Sequence, residues 1–262
     1  MTIWMVIWAG FSSFFLLFLL WTLQIVVLQK AAWKKFATKY KLRFRSKSFM
    51  KSPEMHGVID GHKVSFFSSE HSSDDMRSTR NLIAIEVPLD FVMPAEAAIV
   101  SGGMIKIATL IGFQNELKPK HEKWSEEYAI LTQDKAIYKA YLTKERLSAI
   151  IELMEYKSAM VMVIFKKDLA LLRIDVSDPL KTIEKLEELK GLIMRTVKVL
   201  EVSDAELKML KEAKTLSKAR DVALEFDDEQ TELTSGLSLE DDEDVSGDKA
   251  DGSVEKAETK EA

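Results

Sequence analysis

Histidines are the side chains of this sequence that could bind a metal or act as a general base. The chain has four of them and no cysteine, which excludes disulfides, zinc–thiolate sites, iron–sulfur clusters and cysteine nucleophiles. His56 and His62 are the closest pair, and a hairpin turn at Asp60-Gly61 lies between them. Because side chains alternate between the two faces of a strand, this hairpin directs the two imidazoles apart. We therefore predict no metal site at this pair.

His71 is the second candidate, because Asp74 and Asp75 follow it within a polar stretch from Ser68 to Ser78. Carboxylate oxygens and an imidazole at this spacing could bind a cation. A polar stretch without apolar periodicity is, however, typical of a solvated loop. We favour the loop interpretation.

Motifs for nucleophilic catalysis and phosphate binding are absent from the sequence. Ser101-Gly102-Gly103 lacks the strand–turn–helix context of the G-x-S-x-G nucleophile, and the glycine-rich phosphate fingerprints do not occur. Glu126 and Glu127 lie in a polar connection, where exposure is the simplest explanation for paired carboxylates. The sequence therefore predicts a protein without enzymatic activity and without a cofactor.

One long apolar stretch is the element on which the location of the rest of the chain depends. Ile3 to Leu28 contains no charged residue, and its 26 residues would form a helix about 39 Å long, against about 30 Å for a hydrocarbon core. Trp4 and Trp8 near one end and Trp21 near the other are typical of interfacial anchors. A signal peptide would show a basic n-region, a shorter apolar core and a small-residue cleavage site, which this stretch lacks. We predict a retained transmembrane anchor over 1–29.

A basic segment follows the anchor, with no acidic residue before Glu54. Such a bias predicts that this flank is cytoplasmic, and each basic side chain near an anionic leaflet contributes about 1 kcal/mol to binding. Nucleic acid is the alternative partner, but Trp33, Phe36 and Tyr40 fall at helical spacing and are expected to pack, so we predict no nucleic-acid binding. The residues predicted to contact the membrane surface are Lys30, Lys34, Lys35, Lys39, Lys41 and Arg43.

Residues 30–202 are predicted to form one α+β domain, with a mixed, mainly antiparallel sheet and flanking helices. The Asp60-Gly61 turn predicts a hairpin with Ile59 opposite His62. The other predicted strands are Leu82–Leu89, Tyr128–Leu131, Ala159–Phe165 and Leu169–Ile174. Thr143 is expected to cap a helix with an apolar stripe of Leu147, Ile150, Ile151 and Met154, and Asp178-Pro179 to begin a second helix with a stripe from Ile183 to Leu200. We expect this domain to fold without the anchor, from a start near Lys34.

Ala97 to Phe113 resembles a second membrane segment but is interpreted differently. It spans only 17 residues and contains Lys106 and Gly102-Gly103, and a charge at the centre of a membrane helix costs about 2.5–3.5 kcal/mol. We expect a short helix, a turn at the glycines, and a strand from Met104 to Ile111.

The C-terminal part divides into a helix and an acidic tail. Ser203 to Glu206 matches a capping box, which predicts an amphipathic helix over 203–224 that either docks on the domain or forms a solvated stalk. Residues 225–262 hold fifteen acidic residues and three lysines, giving -12 against +7 for the remainder. A segment of this composition cannot bury enough apolar surface to fold, so we predict a disordered tail that screens residues 30–51 and adds little stability.

These elements together resemble a loose group of uncharacterised prokaryotic membrane-anchored proteins. The shared pattern is a Trp and an Ala on the helix after the membrane, an apolar-x-apolar strand, a Gly-x3-Gly hairpin, an Arg/Thr-led strand, a later aromatic-rich strand and a leucine-bearing helix. The matching residues are Trp33, Ala37, Leu42, Phe44, Gly57, Gly61, Arg77 or Arg80 with Thr79, Trp124, Tyr128, Ile130, Leu142 and Leu147. Ser125 stands where the pattern usually has aspartate. The resemblance implies an anchored α+β domain and no particular activity.

The sequence leaves three functional hypotheses. The first is a bacterial single-pass protein of the inner membrane, with its N-terminus outside, whose cytoplasmic domain binds a protein partner. The alternative is a lipid or apolar-ligand binding domain of PH-like type, with a barrel-like sheet. An enzyme is the third. An exposed apolar patch would favour the first hypothesis, a deep apolar pocket the second, and a cleft with convergent titratable groups the third.

Overall fold

The structure, a computed structural model, describes residues 3–46, 52–72, 79–113, 115–157 and 159–216. Asp74, Asp75 and the predicted acidic tail lie outside these residues. The helices are α1 (Ile3–Lys39), α2 (Met104–Leu110), α3 (Lys135–Tyr141), α4 (Lys144–Met154), α5 (Ile183–Leu200) and α6, helical over 204–216. The strands are β1 (Arg43–Arg45), β2 (Glu54–Ile59), β3 (His62–Ser72), β4 (Thr79–Leu89), β5 (Ala97–Ser101), β6 (Asn115–Glu116), β7 (Tyr128–Thr132), β8 (Met160–Lys166) and β9 (Leu169–Val176).

The nine strands form one antiparallel sheet in the order β1-β2-β3-β4-β9-β8-β5-β7-β6. This arrangement confirms the predicted class, a long apolar N-terminal helix followed by an antiparallel sheet with flanking helices. The two edge strands, β1 and β6, are only three and two residues long, which limits the backbone edge open to pairing with other chains. The sheet is open rather than closed on itself, so the barrel of the PH-like alternative is not formed.

The β2–β3 hairpin has the predicted register. Ile59 pairs with His62 and Gly57 with Val64 across the Asp60-Gly61 turn, where both turn residues have positive φ, as a type I′ turn requires. The predicted loop from Ser68 is wrong in its first part, because β3 continues to Ser72 against β4. The strand continues through this polar stretch because one of its faces supports a polar network around Arg173 and Asp175 of β9.

The main core lies on one face of the sheet, here called the inner face. Alternate residues of β4, from Ile83 to Leu89, are buried there, as their spacing predicts. The predicted stripe of α4 is buried with them, as are Leu186, Leu189 and Leu200 of α5. Helix α2 covers part of the opposite, outer face of the sheet. It packs there on Ala98, Val100 and other apolar side chains.

The prediction for 97–113 is wrong in the order of its elements. The strand, β5, comes first, and the helix, α2, begins after Gly102-Gly103. All five residues of β5 are buried because the strand lies between β7 and β8 and both of its faces are covered. Such a strand is continuously apolar and does not alternate with polar residues. This lack of alternation, together with its alanines, made the strand resemble a helix in the sequence.

The start of α5 is also later than predicted. The Asp178 carboxylate accepts a hydrogen bond from the Leu180 N–H at 2.8 Å, and Leu180 has a φ of 50°. A non-glycine residue in this left-handed conformation cannot continue into a right-handed helix. The cap is instead Thr182, whose side chain accepts the N–H of Lys185 at 3.4 Å.

Helix α1 passes without a break from the apolar stretch into the domain. Residues 3–21 are exposed on every side, whereas Gln29, Ala32, Trp33, Phe36 and Ala37 are buried. The Trp33 and Phe36 rings lie 6.0 and 5.8 Å from the Phe66 ring of β3. The last part of α1 is therefore a component of the core and not a linker.

The described residues of helix α6 dock on the domain. Of the two predicted alternatives, a docked helix and a solvated stalk, the first is therefore observed for these residues. Ser203 accepts the N–H of Glu206 at 3.2 Å, as the capping box predicts, and Leu210 is buried in the main core. Lys214 donates a hydrogen bond to the carbonyl of Pro94. Met209 and Leu216 point to solvent.

Candidate functional site

The six residues predicted to contact a membrane surface lie at the junction of α1 and the sheet. Lys30, Lys34, Lys35 and Lys39 are on α1, Lys41 is in the turn after it, and Arg43 is in β1. All but Lys30, which is half-buried, are exposed. Together with small residues of the same turns, three of these lysines line a shallow depression of about 520 Å³ on the uncovered side of α1.

These residues do not all lie at the same depth. At 1.5 Å per residue, Lys30 is about 3 Å and Lys39 about 16 Å beyond Leu28 along the helix axis. The screening length at physiological salt is about 8 Å. Lys39 also forms an ion pair with Glu187 of α5, and the hydrogen bond in this pair raises its pKa. Among the four lysines of α1, Lys39 is therefore the least suited to bind lipid.

The histidines do not converge, in agreement with the hairpin geometry. His56 pairs with Ser65 and His62 with Ile59, so the two rings lie on opposite faces. His62 Nε2 is 3.2 Å from the Glu201 carboxylate. Among the described residues, no group of three or more histidine, aspartate or glutamate side chains could hold a metal ion.

His71 belongs to a polar network on the outer face of the sheet. Its ring hydrogen-bonds the Asp175 carboxylate, which is fully buried and also accepts from the Arg173 Nε at 2.9 Å. Arg173 donates further to Glu86 at 3.1 Å and to Ser69 at 2.7 Å. Burial opposes the charge on Arg173, but the hydrogen bonds that it donates to the Asp175 and Glu86 carboxylates, together with their negative charge, raise its pKa above the ordinary value. The network satisfies a buried carboxylate and stabilises the extended end of β3.

A groove of about 1000 Å³ lies beside the β6–β7 edge of the sheet. One wall is the connection from Leu117 to Lys123, and the other is α4 with the end of α3. The apolar side chains that form its floor are Leu117, Tyr138, Leu142, Leu147 and Ile151. The 11 residues of α4 make the groove about 16 Å long.

The rim of this groove is basic. Lys118, Lys120, Lys139 and Lys144 are exposed there, and in the described part of the chain none of them forms an ion pair with a carboxylate. Lys123, also on the rim, lies 3.4 Å from Glu155. Glu152 is likewise neutralised, 3.0 Å from Arg195 of α5. Glu122 is the one carboxylate of the lining without an ion pair among the described residues, so four such lysines against one carboxylate leave the rim with an excess of positive charge over an apolar floor.

His121 and Ser148 face each other in the groove, with 3.2 Å between Nε2 and Oγ. His121 Nδ1 accepts the backbone N–H of Lys123 at 3.2 Å, so the proton of a neutral ring lies on Nε2. Nε2 then donates to Ser148 and cannot remove its proton. This arrangement is the reverse of the one that activates a serine nucleophile.

Next to the groove, Arg146 of α4 binds α6 to the domain. Its guanidinium binds both oxygens of Glu206, the Nη2–Oε2 distance being 2.9 Å, and donates to the carbonyls of Tyr141, Val199 and Glu201. The guanidinium carbon lies 4.4 Å from the Tyr141 ring centre. The hydrogen bond from Arg146 lowers the pKa of Glu206, and partial burial only partly offsets this effect.

Sequence analysis missed the groove, although it identified both of its walls. The polar connection that contains Glu126 and Glu127 was interpreted only as exposed, and the stripe of α4 only as an apolar face of a domain helix. The signal is the presence of three lysines, with Pro119, His121 and Glu122, between Leu117 and Trp124. That run gains meaning only when the apolar residues of α3 and α4 are known to lie opposite.

Comparison with known proteins gives structural similarity but no sequence match. No family model matches the sequence, and no curated protein matches it either. Among solved structures, the chain is similar to the crystal structure of the mycobacterial trehalose monomycolate transport factor A, TtfA. The identity is 8% and the TM-score 0.40, over 66% of this chain and 94% of that one.

Proposed function

We propose that this protein is a single-pass membrane-anchored, non-enzymatic docking module. Its groove binds an acidic, partly apolar segment of a partner protein at the cytoplasmic surface of a bacterial inner membrane. The observation that carries the proposal is the groove itself, with an apolar floor beneath four lysines that have no carboxylate partner among the described residues.

The shape of the groove favours a peptide segment as its occupant. A groove about 16 Å long accommodates about three turns of helix, and an amphipathic helix can lay its apolar face along such a floor. Lysines on both walls would then meet carboxylates on the flanks of that helix. Charge complementarity of this kind adds mainly to the association rate and to specificity, and burial of the apolar face supplies the affinity.

The continuity of α1 supports presentation at a membrane. Ile3–Lys39 is long and apolar enough to span a bilayer. Because the same helix enters the core at Trp33 and Phe36, the groove keeps a fixed orientation relative to the anchor. The basic flank favours the cytoplasmic side.

Site-specific photo-crosslinking tests the proposal. A photoreactive amino acid at Ser148, exposed inside the groove, should crosslink a protein in native membranes, whereas the same residue at Lys135, exposed on α3 outside the groove lining, should not. The crosslinked peptide should be acidic and should disappear when Lys118 and Lys144 are changed to Glu. A crosslink that survives this charge reversal would contradict the proposed site.

The same experiment separates the alternative, binding of a lipid or other apolar ligand. The apolar floor is the observation that favours it, since an acyl chain could lie where the peptide face is proposed. A Ser148 adduct with the mass of a lipid would support this alternative, and an acidic peptide adduct would exclude it as the main ligand.

The proposed orientation has its own test. Asp168 is exposed in the turn between β8 and β9, and the chain has no natural cysteine. An Asp168→Cys variant should resist a membrane-impermeant thiol reagent in intact cells and react after lysis. Labelling in intact cells would place the domain outside the cytoplasm.

A further inference from the structure

The uncovered side of α1 changes from apolar to basic where the apolar stretch ends. Val27 and Leu28 are the last exposed large apolar residues of the helix, and Ala31, Lys34 and Lys35 follow them, all exposed. These five positions are spaced by one, three, three and one residues, which is one face of a helix. A single face of α1 therefore continues from the apolar anchor to the two lysines.

The space over Ala31 is open and lies next to both lysines. A helical side chain points toward the N-terminus of its helix and covers the turn before its own Cα atom. Lys34 and Lys35, three and four residues after Ala31, therefore extend over the turn that contains it. Ala31 has no atoms beyond Cβ, and a depression of about 520 Å³ lies over it, lined also by Thr38 and Lys39. Ala31, Lys34 and Lys35 are here called the Ala31 site.

The Ala31 site lies at the depth of lipid headgroups. Each headgroup layer is about 5–7 Å thick, and Ala31 is about 4.5 Å beyond Leu28 along the helix axis. The Cα atoms of Lys34 and Lys35 are about 9 and about 10.5 Å beyond Leu28. Their side chains bring the ammonium groups back toward the bilayer by about one turn of helix. Both charges therefore reach the layer that contains the lipid phosphates.

The protein does not neutralise these two charges. In the described part of the chain neither Lys34 nor Lys35 forms an ion pair, whereas Lys39 pairs with Glu187 of α5. The Thr38 hydroxyl donates to the Lys34 carbonyl at 2.9 Å, so its proton is not available to a ligand. The donors that the Ala31 site offers to a ligand are therefore the two ammonium groups, which suit an anionic phosphate.

We propose that the Ala31 site binds the phosphate of a phospholipid whose headgroup has a net negative charge. Lys34 and Lys35 bind the phosphate, and the acyl chains of the same lipid lie against Val27 and Leu28. A zwitterionic lipid has the same phosphate but no net charge, so it binds more weakly. The inference rests on the part of the proposed function that makes α1 a membrane anchor, and not on what binds in the groove.

Native mass spectrometry of the full chain in mild detergent tests the proposal, with phosphatidylglycerol or phosphatidylcholine as the added lipid. We expect one phosphatidylglycerol molecule per chain to bind in preference to phosphatidylcholine. Lys34→Gln and Lys35→Gln should each weaken phosphatidylglycerol binding by about fivefold, and the double variant by about thirtyfold, the change expected for one and two lysines beside an anionic lipid.

Two further variants distinguish a defined site from general attraction to anionic lipid. Lys39→Gln removes the same charge from a lysine further along α1, and should change the affinity by less than about twofold because Lys39 is paired and lies beyond the screening length. Ala31→Leu keeps every charge but fills the depression, and should weaken binding by about as much as the loss of one lysine. Since all four residues are exposed, the thermal unfolding of the domain should stay unchanged.

Several results would contradict the proposal: equal binding of the two lipids, equal losses in Lys34→Gln and Lys39→Gln, or full binding by Ala31→Leu. Displacement of the lipid by inorganic phosphate would show that the site takes a soluble phosphate and not a lipid. Flotation of the full chain with phosphatidylcholine vesicles tests the anchor separately. A chain that floats but shows no lipid preference lacks only the Ala31 site, whereas a chain that does not float lacks the anchor itself.

Discussion

Helices α1 and α6 both dock on the same domain from the ends of the described chain, but they do so by different interactions. Helix α1 contributes two buried aromatic rings at Trp33 and Phe36. Helix α6 contributes one buried leucine, Leu210, and an ion pair between Glu206 and Arg146. Burial of apolar surface depends little on pH or ionic strength, whereas a part-exposed ion pair depends on both.

The difference indicates two kinds of attachment. The docking of α1 should persist whenever the domain is folded, since removing it would open the core. The docking of α6 should be separable from folding, because Leu210 is its one fully buried apolar residue, and Met209 and Leu216 point to solvent. Substitutions in each helix and its contacts can test this contrast.

The largest effect is expected for Trp33→Ala. Loss of a fully buried tryptophan leaves a cavity and should lower the free energy of unfolding by about 3–5 kcal/mol. Chemical denaturation of the full chain in detergent measures it. Trp21→Ala is the matched control, because Trp21 is on the same helix and exposed, and should leave domain unfolding unchanged. Similar losses in the two variants would refute the idea that α1 is part of the core.

Arg146→Ala should have the next largest effect, about 2–3 kcal/mol, because three backbone carbonyls and Glu206 lose their donor. The effect should be local. Hydrogen exchange is expected to rise over 204–216 more than over α5, while Lys144→Ala, exposed on the same helix, changes neither. Uniform loss of protection across the domain would show that α6 and the core unfold as one unit.

Acid should release α6 before the domain unfolds. The pKa of Glu206 in the folded protein is below its ordinary value of 4.5, so its contribution is fully present above that value and is lost as pH falls through the lowered pKa. We expect proteolysis within 204–216 to increase on acidification while Trp33 fluorescence stays that of a buried ring. In Glu206→Gln this pH dependence should disappear. Its persistence would assign the titration to another group.

Some of the features on which these expectations rest could be predicted from the sequence, and others could not. The β2–β3 register was predictable because the Asp-Gly turn fixes it locally, and the caps at Thr143 and Ser203 were predictable for the same reason. The order of β5 and α2 was not, because a strand buried on both faces loses the alternation that identifies strands. Local signals were reliable where the determining contacts are local.

The sites required contacts that sequence spacing does not contain. Asp175 is 104 residues from His71, and the two walls of the groove come from separate segments. The extent of the domain is a further example. A start near Lys34 was expected to fold, but it would delete Trp33 and the rest of the buried stripe before it, so the structure predicts that a soluble fragment must begin near Gln24.

The smallest expected effect is a gain in stability at Gln29. The Gln29 Nε2 is buried and makes no hydrogen bond in the described part of the protein. Gln29→Leu removes this unsatisfied donor at similar volume, and should raise the free energy of unfolding by about 1 kcal/mol. The same denaturation assay measures it. A loss of stability would show that the amide has a partner, and that a polar contact of Gln29 contributes to the docking of α1.

Because α1 is unbroken, the domain also has a fixed rotational orientation about the axis of the anchor. Each residue added to a helix turns the rest of the chain by about 100° about the helix axis and advances it by about 1.5 Å. One alanine inserted among the exposed residues 3–21 would therefore rotate the groove by about a quarter turn around the axis of the anchor. Seven inserted alanines would restore nearly the original orientation. A partner that also contacts the anchor would sense this angle, and one that binds the groove alone would not.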